Sequence, residues 1–554
     1  MADTLTGLGV SPGVAHGAVV RMSPPPLIPA DLVPRGTPAA EAADAQRALD
    51  AVGDFLDRKA VAVGGAAAEV LQAQAMMARD PSLTDAVVLA TEAGRPAAHA
   101  LVAAFDGFRA ILAAAGPYLA ERVADLDDLR NRAVALVLGL PVPGVPAPGH
   151  PFVLVAADLA PADTAGLDPT QVLALVTEGG GPTSHTAILA KSLGLPAVVS
   201  CPGAAALADG ETVLVDGGAG TVVVSPEPAA AERALAAERA RREVFARSSG
   251  PGRTADGHRV QLLVNVGADS GIAAAAAVDA EGVGLFRTEF LFLDRPEEPT
   301  RVEQEAAYRA VFEAFAGRKV VVRTLDAGAD KPLAFITVPD EPNPALGVRG
   351  LRTARRMPEL LDRQLASLAA AAQATTADVW VMAPMVSTPA EAAAFGDRVR
   401  AAGLSVAGSM VEVPAAALRA QQVLAVCDFV SLGTNDLAQY TFAADRMVGE
   451  LAELLDPWQP ALLELVRLTA RAGQDHGKPV GVCGEAASDP LLAAVLVGLG
   501  VTSLSMAPGA VAEVRATLAG LSLAVCQELA ALALHAADGR AAQAAVAERV
   551  AVLS

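Results

Sequence analysis

Cysteine is scarce in this chain. Only four occur in 554 residues (Cys201, Cys427, Cys483 and Cys526), widely spaced and with no CxxC pair. That spacing argues against a disulfide scaffold and a structural zinc site. Long hydrophobic runs are missing as well. The longest uncharged stretch, residues 133–157, contains Pro141, Pro143, Pro146, Pro148 and Pro151, which a membrane-spanning helix does not tolerate. It reads as an interdomain segment. The opening MADTLTGLGVSPG has neither the basic nor the apolar region of a signal peptide. Positive charge is in deficit: Lys+Arg is 42 against Asp+Glu 62, a net charge of −20. Nucleic-acid binding needs clustered cations, so an acidic surface suits a basic protein partner or simple solubility. These absences predict a reduced, cytoplasmic chain with neither nucleic acid nor membrane as partner.

What is present is a folded, multidomain composition, 53% hydrophobic and 19% charged. At about 100–200 residues per domain the length predicts three to five domains. Residues 1–20 read as strand. From Glu41 to Leu138 apolar residues recur at helical steps, with breaks at Asp80-Pro81 and Gly116-Pro117. Residues 151–225 return to short β-rich runs bounded by Gly, Pro and Asp, with one helix near Ser184–Leu193. A charged helix at 228–247 leads into SSGPGRTADG, which reads as a linker. From Arg259 onward eight short apolar strands (QLLVNV, GVGLF, VVVRTL, VWVMAP, SVAGSM, FVSLG, PVGVC and SLSM) alternate with helices. That alternation predicts a parallel (β/α)8 TIM barrel. The expected fold is multidomain α/β: an α/β domain from 1–20 with 141–226, a helical subdomain (21–140) inserted in it, a linker (227–258) and the barrel (259–554).

Two places carry chemistry. The first is Thr177-Glu-Gly-Gly-Gly-Pro-Thr-Ser-His185. Three glycines follow a strand and open a helix that Thr183 or Ser184 would cap. His185 then sits in the first turn, beside free N–H groups and the positive end of the dipole, where an added phosphoryl group is stabilised. A neutral imidazole is a competent nucleophile when its other nitrogen is held. A capping or packed histidine behind a structural turn accounts for the local pattern equally well.

The second is a ring of polar residues just after the barrel strands. Arg287 and Glu289 follow GVGLF, and VVVRTLD offers Arg323 and Asp326, with Asp330 and Lys331 close behind. NPALGVRGLR offers Arg349 and Arg352, SVAGSMVE offers Glu412, and FVSLGTND offers Asn435 and Asp436, with Arg446 ten residues on. PVGVCGEA offers Cys483 and Glu485. Strand C-termini are where barrels build active sites. Converging arginines suit a small, multiply anionic substrate. Glu412 and Asp436 are hard oxygen ligands of the kind Mg²⁺ takes. Cys483 would donate or accept a proton, or be a buried structural thiol.

Both segments resemble enzyme I, the phosphoenolpyruvate–protein phosphotransferase family of the bacterial sugar phosphotransferase system. GGGPTSHTAILAKSLGLPAVV resembles its phosphohistidine segment, and GLFRTEFLFLDR, VVVRTLDAGADK, NPALGVRGLR, FVSLGTNDLAQYTFAADR and GVCGEAASDP resemble its phosphoenolpyruvate-site segments. The resemblance runs from residue 7 to near the C-terminus with segments in order. It implies a swivelling phosphohistidine domain, phosphorylation of His185 on Nε2, and Thr164 and Asp125 as residues that orient the imidazole. It makes Arg287, Arg323, Arg446 and Asn435 ligands of phosphoenolpyruvate, with Arg349, Lys331 and Asp436 as further contacts. Glu412 and Asp436 become the Mg²⁺ ligands and Cys483 the acid that protonates the enolate. It also implies a homodimer through the C-terminal domain, and the phosphocarrier protein HPr as the acceptor docked on the helical subdomain, where Leu71, Met76 and Met77 are either a docking face or helix packing.

The departures are Ala329, Val348, Gln72 and Gln74, the last two standing where members often carry Glu and His. A dikinase or synthase would need a large nucleotide-binding domain, for which the chain has neither room nor a GxxxxGK[ST] loop. A fusion with a further module is not expected, since the match fills the chain. A non-catalytic regulator would be free to lose the set His185, Arg287, Arg323, Glu412, Asp436 and Cys483.

Overall fold

The computed structural model describes all residues except 1–2, 23–25, 64, 115–122, 147, 158, 160–166, 182–184, 268–270, 294, 329–332, 334, 338–340, 342, 447 and 554. The chain divides into two compact units, Met1–Ala240 and Arg241–Ser554.

The first unit begins with β1 (Thr4–Thr6), β2 (Leu8–Ser11) and β3 (Val14–Arg21). Among the described residues five helices follow: α1 (Pro38–Val63), α2 (Gly65–Ala78), α3 (Pro81–Glu92), α4 (Ala97–Ala114) and α5 (Val123–Leu138). The chain then returns through β4 (Phe152–Ala156), β5 (Val172–Thr177), α6 (His185–Leu193), β6 (Ala197–Val199), β7 (Thr212–Asp216) and β8 (Thr221–Val224). The strands form one sheet in the order β1-β8-β7-β3-β4-β5-β6-β2, parallel from β3 to β6 and antiparallel outside. Every residue of β4 is buried, as a strand covered on both faces requires. One face packs on Ala187 and Ala190 of α6, the other on Ala204 and Leu207.

The helices between β3 and β4 keep a core of their own, built on Leu49, Leu56, Leu71, Leu101, Phe105 and Leu129. Asp80 caps α3 by accepting from the Ser82 N–H, with Pro81 in the first turn. Buried Glu41 accepts from the Gly36 N–H at 3.0 Å and the Ala97 N–H at 2.8 Å, tying the starts of α1 and α4 together. Gly116-Pro117 lies outside the described residues. Of the three apolar side chains considered for docking, Leu71 is fully buried in this core, Met77 packs against it, and Met76 is 69% exposed. Leu71 therefore belongs to the packing and not to a docking face.

Helix α7 (Pro228–Arg247) spans the division between the units. The second unit is a closed barrel of eight parallel strands: β9 (Gln261–Val266), β10 (Gly282–Arg287), β11 (Lys319–Arg323), β12 (Asp378–Ala383), β13 (Val406–Val411), β14 (Phe429–Leu432), β15 (Val480–Val482) and β16 (Ser503–Met506). The barrel closes where Ser503 pairs with Gln261. Each of the eight runs read as a strand forms one. The helices between them start on clear signals. Thr300 and Glu303 make a capping box for the helix Arg301–Ala314, and Thr388 and Glu391 make one for Pro389–Ala401. Both tryptophans lie in this unit: Trp380 sits under the Lys319 ammonium, 3.7 Å from its ring centroid, and buried Trp458 donates Nε1–H to Asp489 at 3.0 Å.

The composition of residues 248–258 suggests a free linker, but hydrogen bonds fasten them to the barrel. The Gly250 N–H donates to Asp279 at 2.6 Å, the Gly252 N–H to Glu281 at 3.0 Å and the Ala255 N–H to the Leu521 carbonyl at 2.9 Å. Buried Arg515 donates to the carbonyls of Ser248, at 3.1 Å, and Asp279. Arg515→Met is expected to lower stability by about 2–3 kcal/mol, because carbonyls paired to a buried charge lose their donor. It should also speed tryptic cleavage after Arg253. Cleavage as slow as in the native chain would show that Arg515 does not hold the segment.

Candidate active site

In the first unit the glycine turn after β5 is fixed from two sides. The Thr177 hydroxyl donates to the Gly179 carbonyl at 2.8 Å, and the Ser200 N–H reaches the same carbonyl at 3.1 Å. Helix α6 then opens at His185, where the first-turn N–H groups have no partner inside the helix. Thr164, Thr183 and Ser184 lie outside the described residues. Asp125 is in the first turn of α5 and buried, accepting from Gln74 Nε2 at 2.8 Å. Gln74, a departure from the family pattern, is thus a direct partner of the carboxylate expected to orient His185.

The barrel brings the second set together at one mouth. Arg287 ends β10, Arg323 ends β11, and Glu412 follows β13. Asn435 and Asp436 open the helix after β14, Thr434–Phe442, and Cys483 follows β15. Arg323 is buried and forms ion pairs with Glu289, with Asp326 at 3.1 Å and with Glu412 at 3.8 Å. Arg349, fully buried, grips Asp326 through Nε at 3.2 Å and Nη2 at 3.3 Å, and meets Asp436 at 3.1 Å. Asp326 is therefore shared by two guanidiniums. Arg352 is turned elsewhere: it donates to the Leu346 and Gly347 carbonyls and to Ser387, bracing the loop that carries Arg349.

Close backbone approach needs glycine twice here. A Cβ on Gly433 would lie 2.8 Å from Glu412 Cγ, and one on Gly484 would lie 1.9 Å from Thr434 Oγ1. Asn435 Oδ1 accepts from the Glu485 N–H at 3.3 Å, joining the ends of β14 and β15. Arg446 lies in the turn beyond the helix Thr434–Phe442, its N–H held by Gln439 at 3.4 Å. Lys331 lies outside the described residues.

Charge dominates this mouth. Glu289, Asp326, Glu412 and Asp436 face Arg323 and Arg349. Four carboxylates crowd these two buried guanidiniums, an excess of acidic groups at the centre of a mouth where Arg287 ends β10. Burial alone would lower the Arg323 pKa, but Glu289, Asp326 and Glu412 outweigh it and hold it above its ordinary value. Glu412 shows the excess most clearly. Burial first, then Asp436 and Asp326, push its pKa up to about 8. Its Oε2 accepts the Met385 N–H at 2.9 Å, while the buried Oε1 has no hydrogen-bond partner. Met385 holds a left-handed backbone, φ +58°, a conformation that costs energy in a non-glycine residue and clusters at functional sites.

A hard cation fits these donors. Among the described residues no three His, Cys, Asp or Glu side chains form a ready-made metal cage, but Mg²⁺ takes few carboxylates and completes its shell with water and substrate oxygens. Glu412 and Asp436 are two such carboxylates. Cys483 is 2% exposed and burial pushes its thiol up to about 11, so at neutral pH it is a proton donor and not a thiolate.

Glu289 and Asp326 were visible at the strand ends, but their pairing with the arginines depends on the closed barrel. Met385 was not visible as a site residue, because its role is a backbone N–H. A non-glycine residue in left-handed conformation leaves no mark in the sequence.

Three family models match this chain. Residues 241–523 match the family described as PEP-utilising enzyme, PEP-binding domain. Residues 148–220 match its mobile domain and 6–122 its N-terminal domain. The phosphoenolpyruvate-protein phosphotransferase of Streptomyces coelicolor is 55% identical over 97% of this chain and 97% of its own. That of Haloferax volcanii is 40% identical over 96% of this chain and 97% of its own. The multiphosphoryl transfer protein of Xanthomonas campestris is 39% identical over 98% of this chain and 67% of its own. Among the described residues no single helix is long and apolar enough to cross a membrane.

The raised Glu412 pKa has a definite sign. Below the unfolded value of 4.5 the carboxyl is protonated in both states. Between 4.5 and about 8 the folded chain keeps the proton longer, so cation-free stability falls with rising pH across that window. Glu412→Gln removes the penalty. Without divalent cation it should melt higher than the native chain at pH 9 but not at pH 4, and by calorimetry it should lose most of its Mg²⁺ affinity. Equal melting temperatures at pH 9, or undiminished Mg²⁺ binding, would show that Glu412 does not carry the excess charge.

Proposed function

The chain belongs to the phosphoenolpyruvate–protein phosphotransferase family, and on that premise we propose that it moves the phosphoryl group of phosphoenolpyruvate to its own His185 and then to a histidine of the phosphocarrier protein HPr. Pyruvate is released, and the reaction is the first step of the sugar phosphotransferase system. The observation that carries this reading is the pair of buried guanidiniums, Arg323 and Arg349, held by Asp326 beside the two carboxylates Glu412 and Asp436.

In this reading Arg287, Arg323, Arg349, Lys331, Arg446 and Asn435 bind the phosphate and carboxylate of the substrate. Bidentate donors fixed in advance stabilise charge on transferring oxygens without reorganising. Glu412 and Asp436 would hold Mg²⁺, which when bound neutralises phosphate charge. The phosphorus is attacked in line by Nε2 of His185. As the N–P bond forms and the P–O bond breaks, the electron pair stays on the enolate oxygen. The Cys483 S–H then protonates the terminal carbon, leaving pyruvate and a thiolate. A thiol raised to about 11 remains protonated until the enolate is formed. Thr164 and Asp125 orient the imidazole.

His185 belongs to one unit and the arginines to the other, so the relay requires the two to meet. We assign the phosphohistidine domain to 1–20 with 141–226, HPr docking to 21–140 and the linker to 227–258. Phosphoenolpyruvate binding and homodimerisation fall to 259–554. A cytoplasmic location follows from the substrate and agrees with four free, buried thiols.

Phosphoenolpyruvate labelled in its phosphate tests the reading. With Mg²⁺ the native chain should take up one acid-labile, base-stable phosphoryl group per site and release pyruvate, and His185→Ala none. Cys483→Ala should slow pyruvate formation by roughly 10²-fold or more. A folded native chain that stays unlabelled would refute the relay.

A further inference from the structure

A buried acid that works once per turnover must regain its proton. Cys483 is 2% exposed at the substrate side, and its Sγ donates to the Leu432 carbonyl at 3.5 Å. Ser431, on the neighbouring strand β14, pairs with Gly481 two residues before Cys483, and its hydroxyl acts on the thiol to lower its pKa against the effect of burial. Ser505 donates to Asn265 Oδ1 at 2.6 Å, and Asn265 Nδ2 holds the Cys483 carbonyl at 3.2 Å. Cys483 is thus held by its thiol from β14 and by its carbonyl from β9.

Beneath it the barrel interior is unusual. Barrel cores are normally filled by bulky branched side chains. Here Ser431, Ser503, Ser505, Gly284 and Gly481 face inward and leave a cavity of about 20 Å³, room for a single water if polar partners are present. Three serine hydroxyls supply them. The cavity's lower wall includes Ser503, Lys319 and Trp380, all only half-buried. It therefore lies between Ser431 and the half-buried residues at the N-terminal end of the barrel, opposite the substrate mouth.

We propose that Ser431 and the cavity below it form the route by which the Cys483 sulfur exchanges its proton with solvent, from the end of the barrel away from the substrate. The proposal rests on the reading that Cys483 protonates enolpyruvate. The thiol gives its proton to the enolate carbon and keeps the S–H electron pair as a thiolate. The Ser431 O–H passes a proton to that sulfur while a water in the cavity returns one to the Ser431 oxygen. The net change is one proton drawn from solvent for each pyruvate formed, with no oxidation or reduction. A route from below lets the thiol reload while substrate or product still closes the upper mouth.

The test needs only the full chain, Mg²⁺, phosphoenolpyruvate and carbon-labelled pyruvate in D2O. Carbon label passing into phosphoenolpyruvate counts reversible turnovers. Deuterium in the pyruvate methyl group, read by NMR, counts how often the Cys483 proton exchanged with solvent between them. The ratio of the two is insensitive to a variant that is merely slow. In the native chain deuterium should enter at nearly every turnover. Ser431→Ala, and Ser503→Val, which fills the cavity and keeps Ser431, should each lower the ratio roughly tenfold. Ser431→Thr, which keeps the hydroxyl, should restore it. A native ratio in both Ser431→Ala and Ser503→Val would overturn the proposal and assign proton exchange to the substrate mouth. If the native chain exchanges no carbon label, the phosphotransferase reading itself fails.

Discussion

Asp326 is the counter-ion on which the barrel mouth depends. Two guanidiniums side by side in a place closed to water would repel each other and lose their hydration, a cost of several kcal/mol per ion. Asp326 sits between Arg323 and Arg349 and removes both penalties at once. Around that core Glu289 also pairs with Arg323 and Asp436 with Arg349, and the crowding of acids is felt at Glu412, whose Oε1 has no hydrogen-bond partner. A site so built has its buried arginines fixed before anything binds and keeps acidic groups crowded beside them. It suits an anion that arrives together with a divalent cation, since the arginines are already aimed and the carboxylates are already waiting.

The barrel was legible in the sequence because its strands are nearly continuous apolar runs and its chemistry projects from their ends. Arg287, Arg323, Glu412, Asp436 and Cys483 could be picked out by that rule alone. The rule could not assign partners. Asp326 is three residues from Arg323 and twenty-three from Arg349, and only the closed barrel makes it common to both. Helix α2 shows a different limit. Leu71 and Met76 look alike in an alanine-rich helix with little polarity to mark its faces, yet one is core and the other surface. The segment 248–258 reads as linker from its glycines and serines, while the residue that fastens it, Arg515, lies more than 250 positions away.

The first unit was legible in a similar way. Short β runs bounded by turn residues gave the sheet, and helical periodicity gave the insertion. A helical block that buries its own leucines between two strands of a sheet needs nothing from the sheet to fold its core. Gln74 is a departure inside the block: this buried side chain donates to buried Asp125.

Tryptophan placement has a practical consequence. The chain has two tryptophans, one stacked under Lys319 and one tied to Asp489, and both belong to the second unit. Intrinsic fluorescence excited at the red edge is therefore blind to the first unit. A single sharp fluorescence transition on heating or in denaturant would describe the barrel only, and the unit that carries His185 could melt earlier without changing the signal. For a protein of two units, apparent two-state unfolding by this probe is not evidence that the whole molecule unfolds together.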